Sequence, residues 1–513
     1  MKRTSEFLAH AVLREDRADG SILLRSAYDL GAVVSRTGDW LHQWADESPD
    51  HVFLAERSGA GWREETYKSA LDKVRALAAS LLSRGLNADT PILILSGNGI
   101  DHGLLVLAAQ YIGVPAVPVA EQYALIPQAH GRLVEAIELI KPQVVYAVDA
   151  EQYGAALALD ALCDVEIIAS RVGTRPVTRF DDLLCGNAGV DVDAAHAAVG
   201  PDTIAKILMT SGSTGAPKGV LTTHRMLCVN QTQIADALPL LRKKRPRIVD
   251  WLPWNHVFGG SYTFNMMLAN GGSLYIEDGK PLKGMFERCL DNLSLATGTL
   301  MFNVPIGFAM LGDALRKDAG LRQRFFEDLD LIFYSGASLP QDVWEAFEDM
   351  AMEVKGEVPL MTSSWGLTET APAALFQQEP TTTSGVVGVP MTGSTIKLIP
   401  KVGPQGGPEI GPEIGREIGR EAGMRCEIRV KGPNVMPGYF KAPDKTAEAF
   451  DDEGYFITGD AMTLVDPADV NRGLRFDGRI AEEFKLLTGT WVRAAALRND
   501  LLAWLAPLAA DAV

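Results

Sequence analysis

The chain has 513 residues, about three times the length of a typical domain, with 47% hydrophobic and 22% charged residues. This composition is close to the globular average and excludes collagen, coiled coil and a wholly disordered chain. The formal net charge of −17 repels phosphate backbones and anionic lipids, so neither nucleic acid nor a membrane surface is expected as a partner. A phosphate ligand can still bind where one loop and one or two cations concentrate positive charge.

The cysteine pattern and the N-terminus indicate a cytoplasmic protein. Five widely spaced cysteines without a CxxC pair form neither a disulfide framework nor a zinc site. No apolar run of signal-peptide length precedes the first acidic residues, so secretion is not expected. The longest uncharged stretch, residues 103–120, contains Pro115 and Pro118 and is interpreted as a buried helix followed by a strand.

The first third of the chain alternates segments with helical and strand-like hydrophobic patterns. Helices are predicted at 67–86, 104–112 and 133–140, and strands at 91–95, 116–119 and 144–148. Short apolar strands between amphipathic helices are typical of a parallel sheet covered on both faces. The chain is therefore predicted to begin as a doubly wound α/β unit.

The turn at residues 96–103 (SGNGIDHG) follows one of these strands and opens a helix, as a dinucleotide-binding turn does. Its glycine spacing differs by one residue from that motif, and no acidic residue ends a strand at the expected distance. A dinucleotide site is therefore not predicted.

A loop in the middle of the chain has the composition of a phosphate-binding site. The apolar run 204–209 leads into TSGSTGAPKGV, residues 210–220. Three glycines allow backbone N–H groups to converge, four hydroxyls add donors, and Lys218 supplies a cation. It is not the P-loop of NTPases, because Pro217 precedes the lysine and no GKS or GKT follows. A flexible Ser/Gly linker is the structural alternative, but a linker would not lie between two apolar strands.

This loop resembles the signature loop of the adenylate-forming superfamily of acyl-CoA synthetases, and further motifs follow in the order of that family. These are SGASLP at 335–340, WGLTET at 365–370, YFITGD at 455–460 and DGR at 477–479. Within the superfamily, four segments are most similar to feruloyl-CoA synthases: DWLPWNH at 250–256, NVP at 303–305, TETAP at 368–372 and FDGRIAEEFKL at 476–486.

The resemblance implies an α/β fold with a large N-terminal body, residues 1–480, made of two doubly wound α/β subdomains and a distorted β-barrel subdomain. Residues 481–513 would begin the small C-terminal α+β domain. Members of the family continue well beyond this point and carry a late lysine that contacts the carboxylate and the α-phosphate. Because 32 residues follow Ala481 here, the C-terminal domain is expected to be truncated.

The implied activity is a two-step ligation. ATP and an aromatic, hydroxycinnamate-type carboxylate such as ferulate form an acyl-adenylate, and coenzyme A then displaces AMP. Lys218, His256, Thr368 and Glu369 are the candidate catalytic residues, with Glu369 also holding Mg²⁺. The candidate nucleotide-binding residues are Thr210, Ser211, Gly212, Ser213, Thr214, Gly215, Lys218, Gly336, Ala337, Trp365, Gly366, Thr368, Asp460 and Arg479.

The resemblance also implies individual roles. Lys218 and the loop would hold the β- and γ-phosphates, Thr368 the α-phosphate, Asp460 the ribose diol, and Arg479 the ribose or α-phosphate. His256 would steer the substrate carboxylate, which is already ionised at neutral pH and has no proton to remove.

Three of the candidate residues have a structural alternative. An isolated Glu369 would be a solvated carboxylate, Trp365 a core aromatic and His256 a satisfied core histidine. Two other functions remain open for the whole chain: a catalytically weak nucleotide- or acyl-binding protein, and an adenylating enzyme that does not complete the thioester.

The four-residue Glu-Ile-Gly units within 404–423 predict a surface loop. The sequence carries no signal for an oligomeric state or for the exact acyl substrate.

Overall fold

The computed structural model describes residues 7–185, 189–211, 217–336, 338–382, 384–401, 424–485 and 491–493. Five of the predicted site residues lie outside these ranges: Gly212, Ser213, Thr214, Gly215 and Ala337. The Glu-Ile-Gly units lie outside them as well.

The described residues form a mixed α/β fold, which confirms the predicted fold class. Its α-helices are Thr37–Glu47, Tyr67–Ser83, Ile100–Tyr111, Glu121–Leu125, His130–Ile140, Gly154–Leu157, Phe180–Leu183, Val192–Ala198, His224–Ala237, Leu240–Lys243, Phe264–Ala269, Phe286–Leu295, Pro305–Lys317, Ala319–Glu327, Gln341–Lys355 and Pro443–Glu448. One π-helix spans Phe258–Thr263.

A seven-stranded sheet forms the first layered unit. Its strands, in spatial order, are Pro217–Thr223, Ile204–Ser211, Ala116–Pro118, Ile92–Ile94, Val144–Asp149, Glu166–Arg171 and Thr178–Arg179. All neighbours are parallel except the first pair, which forms an antiparallel hairpin. The central strands are buried along their whole length, as expected for a parallel sheet covered by helices.

Two further sheets complete the body. The four-stranded sheet has the order Arg247–Asp250, Ser273–Ile276, Val52–Ser58 and Gly61–Thr66. The eleven-stranded sheet has the order Val12–Asp16, Ile22–Ser26, Thr395–Pro400, Arg425–Lys431, Phe456–Leu464, Leu474–Arg479, Val386–Pro390, Ala373–Phe376, Leu360–Gly366, Leu331–Tyr334 and Leu300–Asn303. Its last three strands are parallel and the others are antiparallel.

The antiparallel part of the eleven-stranded sheet occupies the place of the predicted distorted barrel. It is hydrogen-bonded directly to the parallel part through Leu360–Gly366 and Ala373–Phe376. The antiparallel strands and the three parallel strands therefore form one continuous sheet. Beyond residue 480, Glu483–Lys485 pairs with Trp491–Arg493 in a separate two-stranded ladder.

The predicted helix at 67–86 is confirmed as Tyr67–Ser83. The Thr66 side chain caps it by accepting a hydrogen bond from the Ser69 amide, and its apolar face is buried. The helix ends before Gly85, which has a φ of +77° that favours glycine.

The uncharged stretch 103–120 folds as predicted, with a buried helix, Ile100–Tyr111, followed by the strand Ala116–Pro118. Within the described ranges, no helix combines the length and the apolarity needed to cross a membrane.

Candidate active site

The predicted phosphate loop connects the two strands of the hairpin formed by Ile204–Ser211 and Pro217–Thr223. Thr210 lies opposite Lys218 in this ladder, and the Thr210 hydroxyl donates a hydrogen bond to the Lys218 carbonyl at 3.5 Å. Strand pairing therefore defines both ends of the loop and places Lys218 at the start of the outgoing strand.

A third segment pairs with the outgoing strand. The Phe440 amide donates to the Gly219 carbonyl at 2.7 Å, and the Leu221 amide donates to the Gly438 carbonyl at 3.2 Å. A Cβ on Gly219 would lie 3.2 Å from the Cβ of Phe440, so glycine permits this close approach. Tyr439 is thereby brought next to the hairpin.

Tyr439 joins two of the predicted catalytic residues. The Lys218 Nζ lies 4.9 Å from the centroid of the Tyr439 ring, within the range of a cation–π interaction. The Tyr439 hydroxyl donates to Glu369 Oε1 at 3.0 Å. Burial raises the pKa of Tyr439, and the negative charge of Glu369 raises it further, so the hydroxyl remains a donor at neutral pH. A cation and a carboxylate that are distant in the sequence thus share one aromatic side chain.

Glu369 lies on the 3₁₀ turn Thr368–Thr370, directly after the strand Leu360–Gly366. The Met436 amide donates to the Glu369 carbonyl at 2.8 Å. The fully buried Asn434 donates from Nδ2 to the carbonyl of the last residue of the turn, also at 2.8 Å. These bonds fix the turn backbone, while Thr368 and Glu369 themselves stay half-buried.

Asp460 is buried, at 2% exposure, between Trp365 and Arg479. The Trp365 indole Nε1 donates to Asp460 Oδ2 at 2.9 Å. The Arg479 Nε lies 3.0 Å from Oδ1, but Oδ1 has no well-aligned hydrogen-bond partner among the described residues. Burial raises the pKa of Asp460, and the Arg479 charge opposes this shift. Oδ1 is therefore a buried acceptor with capacity for a ligand hydroxyl.

A buried ion pair supports the strand that carries Arg479. The Arg425 Nε donates to Asp477 Oδ2 at 2.9 Å, and its Nη2 donates to the Asp477 carbonyl at 3.1 Å. Gly478 follows with a φ of +85°, a conformation that favours glycine. The DGR motif is thus held by its aspartate, while the Arg479 side chain is 49% exposed.

His256 lies on an exposed turn that leads into the π-helix Phe258–Thr263. Its Nδ1 accepts a hydrogen bond from the Phe258 amide at 3.3 Å. The Phe258 ring packs against Phe302 and Phe333, with centroid distances of 6.2 and 5.5 Å. His256 is therefore two residues from Phe258, which belongs to an aromatic cluster, and π-helical turns are frequent at functional sites.

Two other predicted pocket segments are neighbours. Gly336 is exposed with a φ of +90°, and a Cβ there would lie 3.8 Å from the Val304 side chain. The adjacent Asn303 accepts a hydrogen bond from the Trp251 indole at 3.2 Å. The segment 303–305 therefore contacts both 250–256 and 335–336.

The structure thus brings predicted residues together in two groups. In one, Tyr439 links Lys218 to Glu369, and Thr368 precedes Glu369 in the chain. In the other, Asp460 is bonded to Trp365 and lies beside Arg479. The charge of Glu369 also raises the pKa of Asp460, which places the two groups within electrostatic range of each other.

The family model described as AMP-binding enzyme matches residues 41–440, most of the chain. The chain belongs to the AMP-binding enzyme family. Its matched region includes the loop, the turn that carries Glu369, and Tyr439.

Individual AMP-binding enzymes are similar along much of the chain. Luciferin 4-monooxygenase of Nipponoluciola cruciata is 26% identical over 412 residues, which is 77% of this chain and 68% of the relative. The 4-coumarate–CoA ligase 2 of Oryza sativa subsp. japonica is 25% identical over 456 residues, 84% of this chain and 74% of the relative. Among solved structures, ATP-bound MatB from Rhodopseudomonas palustris has a TM-score of 0.68 and 24% identity, covering 91% of this chain and 83% of MatB. This last similarity concerns the fold.

The carboxylate of Glu369 in this AMP-binding enzyme has the chemistry to hold Mg²⁺. The described residues contain no group of three or more His, Cys, Asp or Glu side chains that could hold a metal ion. Mg²⁺ does not need such a cage, since one or two carboxylates with substrate phosphates and water are its usual ligands. The described hydrogen bond from Tyr439 uses one carboxylate oxygen and leaves the other for a cation.

Three residues at the site, Tyr439, Asn434 and Asn98, were not predicted from the sequence. Tyr439 and Asn434 lie in PNVMPGYF, residues 433–440, whose prolines and glycine gave only a turn signal. Asn98 lies in the turn rejected as a dinucleotide site. It donates from Nδ2 to the Leu252 carbonyl at 2.9 Å and accepts from the Trp254 amide at 3.0 Å. This turn therefore holds the backbone that leads to His256.

Proposed function

We propose that this chain is an acid–thiol ligase that activates an aromatic, hydroxycinnamate-type carboxylate such as ferulate with ATP and transfers the acyl group to coenzyme A. The observation that carries the proposal is the contact of Tyr439 with both Lys218 and Glu369 beside the hairpin of the phosphate loop. Membership of the AMP-binding family supports the adenylation, and the similarity to a coumarate–CoA ligase supports the aromatic acid and the thioester.

In the first step, a carboxylate oxygen of the acid attacks the α-phosphorus of ATP. A new O–P bond forms, the bond between the α-phosphorus and the bridging oxygen breaks, and pyrophosphate leaves. Charge accumulates on the pyrophosphate, so a positioned cation at Lys218 stabilises this transition state more than the ground state. Glu369 would hold Mg²⁺, which when bound neutralises part of the phosphate charge.

The other site residues position the nucleotide and the acid. Asp460 would accept the ribose hydroxyls through Oδ1, which has no well-aligned hydrogen bond within the described residues, and Arg479 would contact the ribose or the α-phosphate. Thr368 would bond the α-phosphate. The exposed His256 would steer the carboxylate of the acid. The aromatic portion of the acid would lie near the rings of Phe258, Phe302 and Phe333.

In the second step, the sulfur of coenzyme A attacks the acyl carbon of the adenylate. A C–S bond forms, the bond between the acyl carbon and the AMP oxygen breaks, AMP leaves, and the thiol proton passes to solvent.

A second candidate function is adenylation of the acid without transfer of the acyl group to coenzyme A. The chain is about equally similar to an enzyme named luciferin 4-monooxygenase and to a 4-coumarate–CoA ligase, so the similarity alone does not select thioester formation.

An assay with ferulate, Mg²⁺–ATP and coenzyme A tests the proposal when AMP and the thioester are measured separately. We expect equal amounts of AMP and feruloyl thioester, and a kcat/KM for ferulate at least tenfold above that for acetate, or about 1.4 kcal/mol. AMP without thioester would support the second candidate. A chain that binds ATP but releases no AMP with any acid would contradict both and leave a nucleotide-binding protein.

A methyl group added at Gly366 is expected to have a large effect on stability and activity, because the backbone is closely packed there. A Cβ at this position would lie 1.7 Å from the Pro372 carbonyl oxygen, next to the turn that carries Glu369. We expect Gly366→Ala to lower the free energy of unfolding by about 1–3 kcal/mol, measured by urea unfolding. We also expect it to lower the rate of acid-dependent pyrophosphate exchange at least tenfold, measured by isotope exchange. Gly131→Ala is the control, since a Cβ there meets nothing within 4 Å. Unchanged exchange in Gly366→Ala would show that the turn does not govern adenylation.

A further inference from the structure

Lys206 is a buried lysine that the proposed mechanism does not use. It lies on the strand Ile204–Ser211, which leads into the phosphate loop, and it is 3% exposed. Its Nζ donates a hydrogen bond to the Gly260 carbonyl and lies 5.9 Å from the centroid of the Phe264 ring. Burial lowers the pKa of Lys206 to about 7. Lysines are seldom buried without a carboxylate partner, because desolvation of the ammonium is costly.

The acceptor of this bond belongs to the π-helix Phe258–Thr263. The next two carbonyls, of Ser261 and Tyr262, accept hydrogen bonds from the Gln231 side-chain amide at 3.1 and 3.2 Å. Three consecutive carbonyls of this segment are therefore satisfied by side chains from other elements. Side-chain donors of this kind supply hydrogen bonds where the regular α-helical pattern is interrupted.

The π-helix packs against the turn that leads to His256. A Cβ on Gly259 would lie 2.3 Å from the Leu252 carbonyl oxygen, and a Cβ on Gly260 would lie 2.1 Å from the Trp254 carbonyl oxygen. This close approach means that a displacement of the π-helix must also move the turn. Asn98 holds the other side of the same turn by its two hydrogen bonds to the backbone.

We propose that Lys206 is a positioning residue for the acid substrate. By holding the Gly260 carbonyl it fixes the π-helix, and through the packed turn it fixes His256, although Lys206 itself touches no substrate. Its strand continues into the phosphate loop, so the lysine connects the nucleotide side of the site to the acid side. The acid-binding part of this inference rests on the proposed function.

Two variants whose side chains match each other in length, and are one atom shorter than lysine, separate the donor from the bulk of the side chain. Lys206→Met keeps an apolar chain without a donor, and Lys206→Gln keeps an N–H donor without a charge. We expect Lys206→Met to raise the KM for ferulate at least fivefold with the KM for ATP within twofold, and Lys206→Gln to recover most of the loss. Equal rises in both KM values, or no rise for ferulate in Lys206→Met, would overturn the proposal.

Lys397→Met is the matched control for the loss of a buried lysine. Lys397 is 7% exposed and bonds Asp451 and Glu453, on elements that do not contain the predicted acid-binding segments. We expect this variant to lower the thermal midpoint without changing the KM for ferulate. A ferulate effect as large as that of Lys206→Met would mean that lost stability, and not the π-helix, is the cause.

Hydrogen–deuterium exchange tests the positioning role without any catalytic activity. In Lys206→Met we expect peptides covering 254–264 to exchange at least fivefold faster, with less change in peptides covering 144–149 of the same seven-stranded sheet. Unchanged exchange at 254–264 would overturn the role of Lys206 whether or not the protein is a ligase. Faster exchange at 254–264 together with inactive wild-type protein would contradict only the proposed function.

Discussion

Replacing Lys218 by alanine or Glu369 by glutamine is expected to lower acid-dependent pyrophosphate exchange at least tenfold, or about 1.4 kcal/mol or more of transition-state stabilisation. Lys218→Ala removes the cation held above the Tyr439 ring, and Glu369→Gln removes the negative charge at the end of the same arrangement. The glutamine keeps an acceptor for the Tyr439 hydroxyl, so the turn backbone should remain in place.

Tyr439→Phe serves as the matched control. It keeps the ring beside Lys218 and removes only the hydrogen bond to Glu369, worth about 1.5–3 kcal/mol for a bond to a charged group. We expect a smaller loss of exchange than for Lys218→Ala and a higher Mg²⁺ concentration for half-maximal rate. Wild-type exchange rates in both Lys218→Ala and Glu369→Gln would refute the assignment of the phosphate loop.

The sequence predicted those parts of the fold that depend on local pattern. The helix Tyr67–Ser83 has apolar residues at helical spacing, and strands such as Val144–Asp149 are short apolar runs, so both could be placed within a few residues. The loop was likewise predicted from one short segment rich in glycines and hydroxyls. Its predicted range, 210–220, is longer than the connection in the structure, because Thr210 and Lys218 pair within the flanking strands.

Contacts between distant segments could not be predicted in this way. The pairing of Tyr439 with the hairpin depends on a register between strands far apart in sequence, which hydrophobic periodicity does not specify. Lys206 illustrates the same limit, because a lysine within an apolar strand gives no signal that its side chain is buried against a π-helix. Motif resemblance predicted that Trp365 binds the nucleotide, and only the fold shows that its indole donates a hydrogen bond to Asp460.

At the candidate site, two cations are associated with carboxylates. Lys218 is connected to Glu369 through Tyr439, and Arg479 lies beside Asp460. Each cation therefore has a carboxylate nearby before any nucleotide binds. Within each pair, the positive charge and the negative charge compensate each other. The protein can therefore hold cations at fixed positions although its net charge is strongly negative.

Asp460→Asn is expected to abolish most of the nucleotide binding while leaving the folded state at least as stable. Burial raises the pKa of Asp460, so its charged form carries a cost in the folded protein at neutral pH, which asparagine removes. The asparagine oxygen can still accept the Trp365 indole hydrogen bond, and Arg479 is half-exposed and can be solvated. The ribose hydroxyls lose their charge-assisted acceptor, worth about 1.5–3 kcal/mol. We therefore expect the KM for ATP to rise at least tenfold.

The pH dependence of stability provides the second measurement. A carboxyl whose pKa is raised in the folded state binds its proton more tightly there than in the unfolded chain, so its contribution to stability falls as pH rises above its ordinary pKa of about 3.9. Asp460→Asn lacks this decline. In urea unfolding between about pH 4 and pH 7, the stability of Asp460→Asn relative to wild type should increase with pH. A loss of stability at pH 7 would contradict the cost assigned to the buried Asp460 charge. An undiminished thermal shift with Mg²⁺–ATP would contradict the assignment of Asp460 as the ribose acceptor.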